Sequence, residues 1–189
     1  VMRHCSVKKD TLNITPSLSK NNEMPSSTPF QTAPDKFEEY RMKVAGTNID
    51  SRSLLSTDYF NNFNSVVMLF DMLPEAPELL DEIDEWKFNT YVEHFQNSGL
   101  DFAVLAIEAY DYVPLDMKRA FERKIEAMRV FIVDCAQTLR HLHEAGETQA
   151  FATFARQAAE MFRFMMNEGG AIIHGTDASL DQGAIDKMF

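Results

Sequence analysis

Apolar residues recur at every third or fourth position over most of the chain between residues 56 and 167. This spacing collects the apolar side chains on one face of an α-helix, as in an amphipathic helix. The clearest stripe predicts a long helix from Leu115 to Ala145, with apolar positions at Phe121, Ile125, Met128, Ile132, Cys135, Leu139 and Leu142. A second stripe predicts a helix from Glu147 to Asn167, with apolar positions at Phe151, Phe154, Ala158, Met161, Phe162, Met165 and Met166.

The break between these two stripes is very short and is marked by Gly146. A short break between two amphipathic helices predicts an antiparallel helical hairpin. Shorter helices are predicted upstream, with starts at Asp35, at Ser56-Thr57-Asp58, at Pro77, at Phe88 and at Asp101. These helices must cover the apolar surface that the hairpin leaves open. We therefore predict an all-α fold, a bundle of about five or six helices built on one long antiparallel hairpin.

Both ends of the chain lack this periodicity. Residues 1–35 are rich in Ser, Thr, Asn, Pro and Lys, which predicts a disordered N-terminal segment. Glu168-Gly169-Gly170 predicts the end of the last helix, so the bundle is placed at residues 36–168. The small and aperiodic residues 169–179 are predicted to be a flexible linker, and residues 180–189 form a C-terminal peptide.

The composition supports a helical core. The chain has 189 residues, which suits one domain with flexible ends. Hydrophobic residues make up 45% of it, including 15 Phe and 11 Met. Glycine and proline are scarce, with seven of each, which favours helices over a β fold rich in turns.

The charge excludes two classes of partner. The formal net charge is −11, and a negative field of this kind repels nucleic acid backbones and anionic membrane surfaces. No apolar run approaches the length that a bilayer requires, and no apolar segment follows Lys8 and Lys9 as in a secretory signal. We expect a cytoplasmic protein without membrane insertion and without a nucleic acid partner.

The predicted core carries little metal or nucleophile chemistry. His141 and His143 are two residues apart on a helix and so point to different faces, whereas helical metal ligands are spaced by three or four. No Glu-x-x-His pair and no Gly-rich phosphate loop occurs. Cys135 lies on an apolar stripe, which predicts a buried structural thiol. No metal or other cofactor is expected on this chain.

One polar pair in the long helix is suited to phosphoryl chemistry. Asp134 and Gln137 are three residues apart, so they share a face beside the apolar stripe. On such a face a carboxylate can pair with a lysine of a phosphorylated partner, and an amide can orient the water that attacks phosphorus. Glu93 with Gln96 or Asn97 offers a similar pair. The alternative is that these are ordinary solvated polar residues.

The C-terminal peptide has the pattern of a short interaction helix. Ile185, Met188 and Phe189 meet on one side of a single helical turn, which Asp181 is placed to cap. A helix this short is unstable alone in water, so it would form against a partner's groove. The alternative is that the peptide docks on its own bundle.

Residues 182–189 resemble the peptide with which the flagellar switch protein FliM and the chemotaxis phosphatase CheZ bind the response regulator CheY. That peptide reads approximately Ser-Gln-x-x-Ile/Val-Asp-x-Leu-Leu/Phe. Gln182, Ile185 and Asp186 match it outright, and Met188 and Phe189 match it in character. The resemblance implies that the three apolar residues fill the regulator's hydrophobic groove, while Gln182 and Asp186 add polar contacts.

The order of helical core, linker and C-terminal peptide also resembles CheZ. Asp181 stands where the peptide motif has serine. CheZ carries an Asp-x-x-x-Gln pair on its hairpin, whereas Asp134 and Gln137 have the acid-x-x-amide spacing of the CheX-type phosphatases. In this interpretation, any Mg²⁺ belongs to the partner regulator.

The leading hypothesis is a protein of a bacterial chemotaxis or motility pathway that binds a CheY-like response regulator. The bundle is the platform, the peptide is the tether, and dephosphorylation of the regulator through Asp134 and Gln137 is an extension of that role. The first alternative is a structural or adaptor bundle without catalytic activity, a homodimer through its Met- and Phe-rich hairpin. The second is a ligand-binding or small-molecule enzyme bundle whose pocket has no sequence signature.

Overall fold

The computed structural model describes residues 33–176, with side chains from residue 36 onward. This part of the chain forms seven α-helices and no β-strand: α1 (Ala33–Lys43), α2 (Asn61–Met72), α3 (Leu80–Glu85), α4 (Tyr91–Ser98), α5 (Ala103–Tyr110), α6 (Leu115–Glu144) and α7 (Thr148–Ile173). Short 3-10 helices at Thr57–Phe60 and Pro77–Leu79 lead into α2 and α3. The predicted all-α fold with a long helical hairpin is confirmed.

Local signals in the sequence set three of the helical starts. The Ser56 hydroxyl accepts a hydrogen bond from the Asp58 amide at 3.2 Å, and Pro77 opens the turn before α3. At α4, Thr90 and Glu93 bond reciprocally to each other's backbone amides, an arrangement known as a capping box. At Ser56 and Thr90, the side chain accepts from an amide that the helix itself leaves unpaired.

The hairpin of α6 and α7 is the centre of the fold. Gly146 has φ +71° and ends α6, where the amide of Glu147 donates to the carbonyl of Leu142 at 3.0 Å. The chain then reverses at once into α7. The rings of Phe131 and Phe162 stack across the hairpin with centroids 6.0 Å apart.

The shorter helices pack against the hairpin and against each other. Their cross-contacts are Phe63 with Phe162 and Asp71 with Arg163 between α2 and α7, Asp81 and Asp84 with Arg140 between α3 and α6, and Tyr91 with Tyr110 between α4 and α5. The α1 helix begins at Ala33, ahead of the predicted Asp35, and its Tyr40 ring stacks on Tyr112 at 4.7 Å.

The predicted end of the last helix at Glu168-Gly169-Gly170 is wrong, and with it the start of the linker at residue 169. The α7 helix continues to Ile173, because Ile172 and Ile173 are buried and add to the core. The residue with positive φ that ends the helix is Gly175, at +61°. The amide of Gly175 donates to Ile172 and that of Thr176 to Ala171, which is a Schellman motif.

Two further details of the prediction are wrong. Met161 was placed on the apolar stripe of α7, but its side chain is 51% exposed, because the buried arc of α7 is centred on its neighbour Phe162. Asp101 was expected to cap α5. The residue before α5 is Phe102, and no side chain caps that helix.

Candidate functional site

The outer face of α6 carries the polar pair that the sequence singled out. This helix runs unbroken for 30 residues, and its buried side includes Ile132, Cys135 and Leu139. Asp134 and Gln137 lie on the opposite side, and both are exposed. Side chains three residues apart on a helix have their Cβ atoms about 5–6 Å from each other. The structure therefore presents a carboxylate and an amide together on a rigid support.

Neither side chain of this pair has a hydrogen-bond or ion-pair partner among the described residues. No hydrogen bond or ion pair from residues 36–176 reaches the Asp134 carboxylate or the Gln137 amide; the neighbouring Thr138 hydroxyl donates instead to the Asp134 carbonyl at 2.9 Å. The second predicted pair differs. The Glu93 carboxylate accepts from the Thr90 amide and hydroxyl, each at 2.8 Å, and these bonds lower its pKa. Glu93 is thus committed to capping α4, which leaves Asp134 and Gln137 as the stronger pair.

A cleft of about 250 Å³ opens beside Gln137, between α3 and α6. Its lining is mostly apolar and consists of Ile83, Asp84, Trp86, Ile132, Val133, Ala136 and Gln137. The Trp86 indole N–H donates to the carbonyl of Asn62 at 3.2 Å, which fixes one wall. Gln137 thus borders an apolar recess, while Asp134 lies on the open side of α6.

Arg140 neutralises acidic charge next to this cleft. Its guanidinium forms ion pairs with Asp81 and Asp84 of α3, and it lies one turn beyond Gln137 on α6. Two apolar side chains, Val130 and Val133, are 42% exposed on the same side of the helix. The polar pair therefore lies next to two exposed apolar side chains that precede it on α6.

Among residues 36–176, Cys135 and the histidines do not form a reactive centre. Cys135 is 4% exposed, and burial raises its thiol pKa to about 12, so no thiolate forms near neutral pH. His141 and His143 are exposed near the end of α6. No cluster of three or more metal-binding side chains occurs between residues 36 and 176.

The residues of the predicted interaction peptide lie outside the described part of the chain. They are Asp181, Gln182, Ile185, Asp186, Met188 and Phe189. Their role remains a prediction from the sequence. The cleft at Trp86 was missed from the sequence, and the available signal was the apolar spacing of Ile83 and Trp86, which predicts an inward face without naming its neighbour.

None of the seven helices described has both the length and the apolar content to cross a bilayer. Comparisons with known proteins give no further guidance, because no family model, no curated protein and no solved structure matches this chain.

Proposed function

We propose that this chain binds a CheY-like response regulator of a bacterial chemotaxis or motility pathway and promotes its dephosphorylation. The observation that carries the proposal is the exposed pair of Asp134 and Gln137 on one face of α6, whose side chains have no hydrogen bond or ion pair with residues 36–176. The resemblance of residues 182–189 to a regulator-binding peptide supports the choice of partner. A peptide tether raises the local concentration of a partner, so a modest affinity at each surface suffices.

The proposed chemistry needs only positioning and charge. The Gln137 amide orients a water molecule in line with the aspartyl phosphate of the regulator, and Asp134 pairs with a lysine of that partner. Attack by water on phosphorus breaks the bond to the aspartyl oxygen, restores the regulator's carboxylate and releases inorganic phosphate. The regulator's own Mg²⁺ supplies the countercharge, so this chain needs no metal.

The enzymatic part is tested by following loss of phosphate from a phosphorylated regulator with the full-length protein. Gln137→Ala is expected to slow the stimulated rate by about one to three orders of magnitude, by analogy with the loss of one positioned group. Gln157→Ala is the matched control, because Gln157 is also exposed but lies on α7. An equal rate for both variants, or no stimulation by the wild type, would contradict the phosphatase role.

The binding part is tested separately with the same full-length protein. Ile185→Ala combined with Phe189→Ala is expected to weaken capture of the regulator at least tenfold. Gln137→Ala should leave that capture unchanged, since the peptide and the pair act at different steps. If neither the wild type nor a peptide of residues 177–189 binds a phosphorylated or unphosphorylated regulator, the proposed partner is wrong.

A second candidate function, an adaptor bundle that forms a homodimer, is favoured by the apolar surface of α7. Met161 is 51% exposed and Phe164 is 57% exposed, and they border a shallow depression with Gln157 and Glu160. Sedimentation equilibrium tests whether this homodimer forms. Phe164→Ser is expected to dissociate such a dimer, whereas Val104→Ser, at a 69% exposed position on α5, serves as the control. A wild-type monomer at all concentrations would eliminate this candidate.

A further inference from the structure

An aromatic cleft of about 260 Å³ lies at another place in the bundle, between the turn before α2, the start of α4, the end of α5 and the first half of α6. Its residues are Tyr59, Phe88, Thr90, Tyr91, Tyr110, Phe121, Glu122, Ile125 and Glu126. Five of these nine carry six-membered aromatic rings. Since a water molecule in the liquid takes up about 30 Å³, the cleft has room for a small organic molecule.

The walls of the cleft are fixed before any ligand arrives. The Tyr91 ring stacks on Tyr110 at 4.6 Å and meets the edge of Phe121 at 5.8 Å. The Tyr59 hydroxyl donates to the Asn89 carbonyl at 2.8 Å, and the Tyr91 oxygen accepts from the Ser56 amide at 3.0 Å. A rigid wall loses little entropy when a ligand binds, which favours affinity.

The charged groups that line this cleft are both acidic. Glu126 is paired with Arg129, whose guanidinium donates to it at 2.6 and 2.8 Å. Glu122 accepts a hydrogen bond from the neutral Tyr110 hydroxyl at 2.9 Å, which leaves its negative charge uncompensated by that partner. Burial raises the pKa of the Tyr110 hydroxyl, so it stays protonated and donates at neutral pH. The cleft thus combines aromatic side chains with one carboxylate, that of Glu122, which forms no ion pair with any side chain of residues 36–176.

This chemistry selects among ligand classes. An anion is repelled by Glu122 and by the net charge of −11. A bare metal ion prefers several oxygen ligands, which aromatic walls do not supply. An organic ammonium ion gains from both features, because aromatic rings attract cations and the carboxylate balances the charge. Next to the cleft, the Lys118 ammonium lies 3.9 Å from the centre of the Tyr110 ring and donates to the Tyr110 carbonyl at 3.0 Å.

We propose that this cleft is a binding site for a small organic cation, a quaternary or primary ammonium group on a short apolar body. Glu122 supplies the countercharge at the rim, the half-buried Phe88 ring forms a wall, and the buried Tyr91 and Phe121 rings form the floor against which the apolar body packs. The site lies apart from Asp134 and Gln137, so it stands or falls independently of the proposed phosphatase role.

The test compares two probes of nearly the same shape on the full-length protein by isothermal titration calorimetry. Choline carries the quaternary ammonium, and 3,3-dimethylbutan-1-ol replaces its nitrogen with carbon and has no charge. Choline is expected to bind saturably, and the neutral isostere about tenfold or more weakly. Equal affinity for the two probes, or no saturable binding of choline, would overturn the proposal.

Two variants locate the binding. Glu122→Gln is expected to weaken choline about tenfold and to leave the neutral isostere unchanged, because only the charge at the rim is lost. Glu160→Gln is the matched control, since Glu160 is an exposed acid on α7. Chemical-shift changes in a ¹H–¹⁵N spectrum must map to the residues around Tyr91 and Phe121. Equal effects of the two variants, or shifts confined elsewhere, would also count against this site.

Discussion

Two adjacent glycines of α7 differ in their surroundings, and this difference is measurable. A Cβ atom added at Gly169 would lie 2.5 Å from the Phe60 ring tip, whereas one added at Gly170 would meet nothing within 4 Å. Both positions are helical, so alanine gains a similar helix propensity at each, about 0.5–1 kcal/mol. Only Gly169→Ala must also displace a packed ring.

The size of the expected stability difference follows from the packing around Phe60. Phe60 is 7% exposed and lies between Tyr59 and Phe121, with ring centroids 6.2 and 6.4 Å away, so it has little room to move. Overpacking of a well-packed core costs about 1–3 kcal/mol. Gly170→Ala is therefore expected to stabilise the protein by about 0.5–1 kcal/mol. Gly169→Ala should be less stable than Gly170→Ala by about 1–3 kcal/mol, since the propensity gain cancels in the comparison.

The assay is urea unfolding followed by far-ultraviolet circular dichroism and by the fluorescence of Trp86, the one tryptophan of the chain. A substitution at Phe60 tests whether contact with its ring is the cause of the stability loss. In a Phe60→Leu background, the cost of Gly169→Ala should fall to near zero or reverse sign, because the shorter side chain vacates the contact. Equal stability of the two glycine variants would refute the reasoning, and so would an unchanged cost in the Phe60→Leu background.

Three further predictions concern single side chains. Burial between the Tyr59 and Phe95 rings lowers the pKa of His94, so folded His94 is neutral while unfolded His94 gains a proton below about pH 6.5. The free energy of unfolding should therefore fall as the pH drops from 7 to 5. In urea titrations at each pH, His94→Phe should reduce this pH-dependent loss of stability. Thr90→Ala should destabilise the protein by about 1 kcal/mol by removing the cap of α4. The control is Thr153→Ala, which removes an exposed hydroxyl bonded to the Gln149 carbonyl of its own helix and should change stability very little. Equal losses of stability in urea unfolding would contradict the capping role of Thr90. In a Cys5→Ser background, Cys135 should resist a thiol-specific disulfide reagent until urea unfolds the protein, because its thiol is buried with a pKa of about 12. Reaction of the native protein at the rate of a free thiol would be inconsistent with that burial.

The long hairpin could be predicted closely because its signals are local. The predicted Leu115–Ala145 differs from α6 only at its last residue, since the apolar stripe is regular and Gly146 marks the turn. The end of α7 could not be predicted in the same way. Gly169 resembles a helix end in the sequence, but it is a glycine because Phe60 packs against it from a distant part of the chain.

For the candidate site too, the local features could be predicted from the sequence, whereas the features set by contacts between helices could not. That Asp134 and Gln137 share a face follows from helical spacing alone, and their exposure agrees with positions beside the stripe. The cleft at Trp86 and the aromatic cleft at Tyr91 depend on which helices lie next to each other. Apolar spacing shows that a face is buried but not against what, so neither cleft was visible in the sequence.

The short connection between α6 and α7 also bears on the order in which the chain folds. Closing a short loop costs little chain entropy, so the contact of Phe131 with Phe162 can form early, before α1 finds its place through Tyr40 and Tyr112. We expect Phe131→Leu to slow refolding in stopped-flow experiments and Tyr40→Leu mainly to accelerate unfolding. The hairpin is then the nucleus on which the remaining helices assemble.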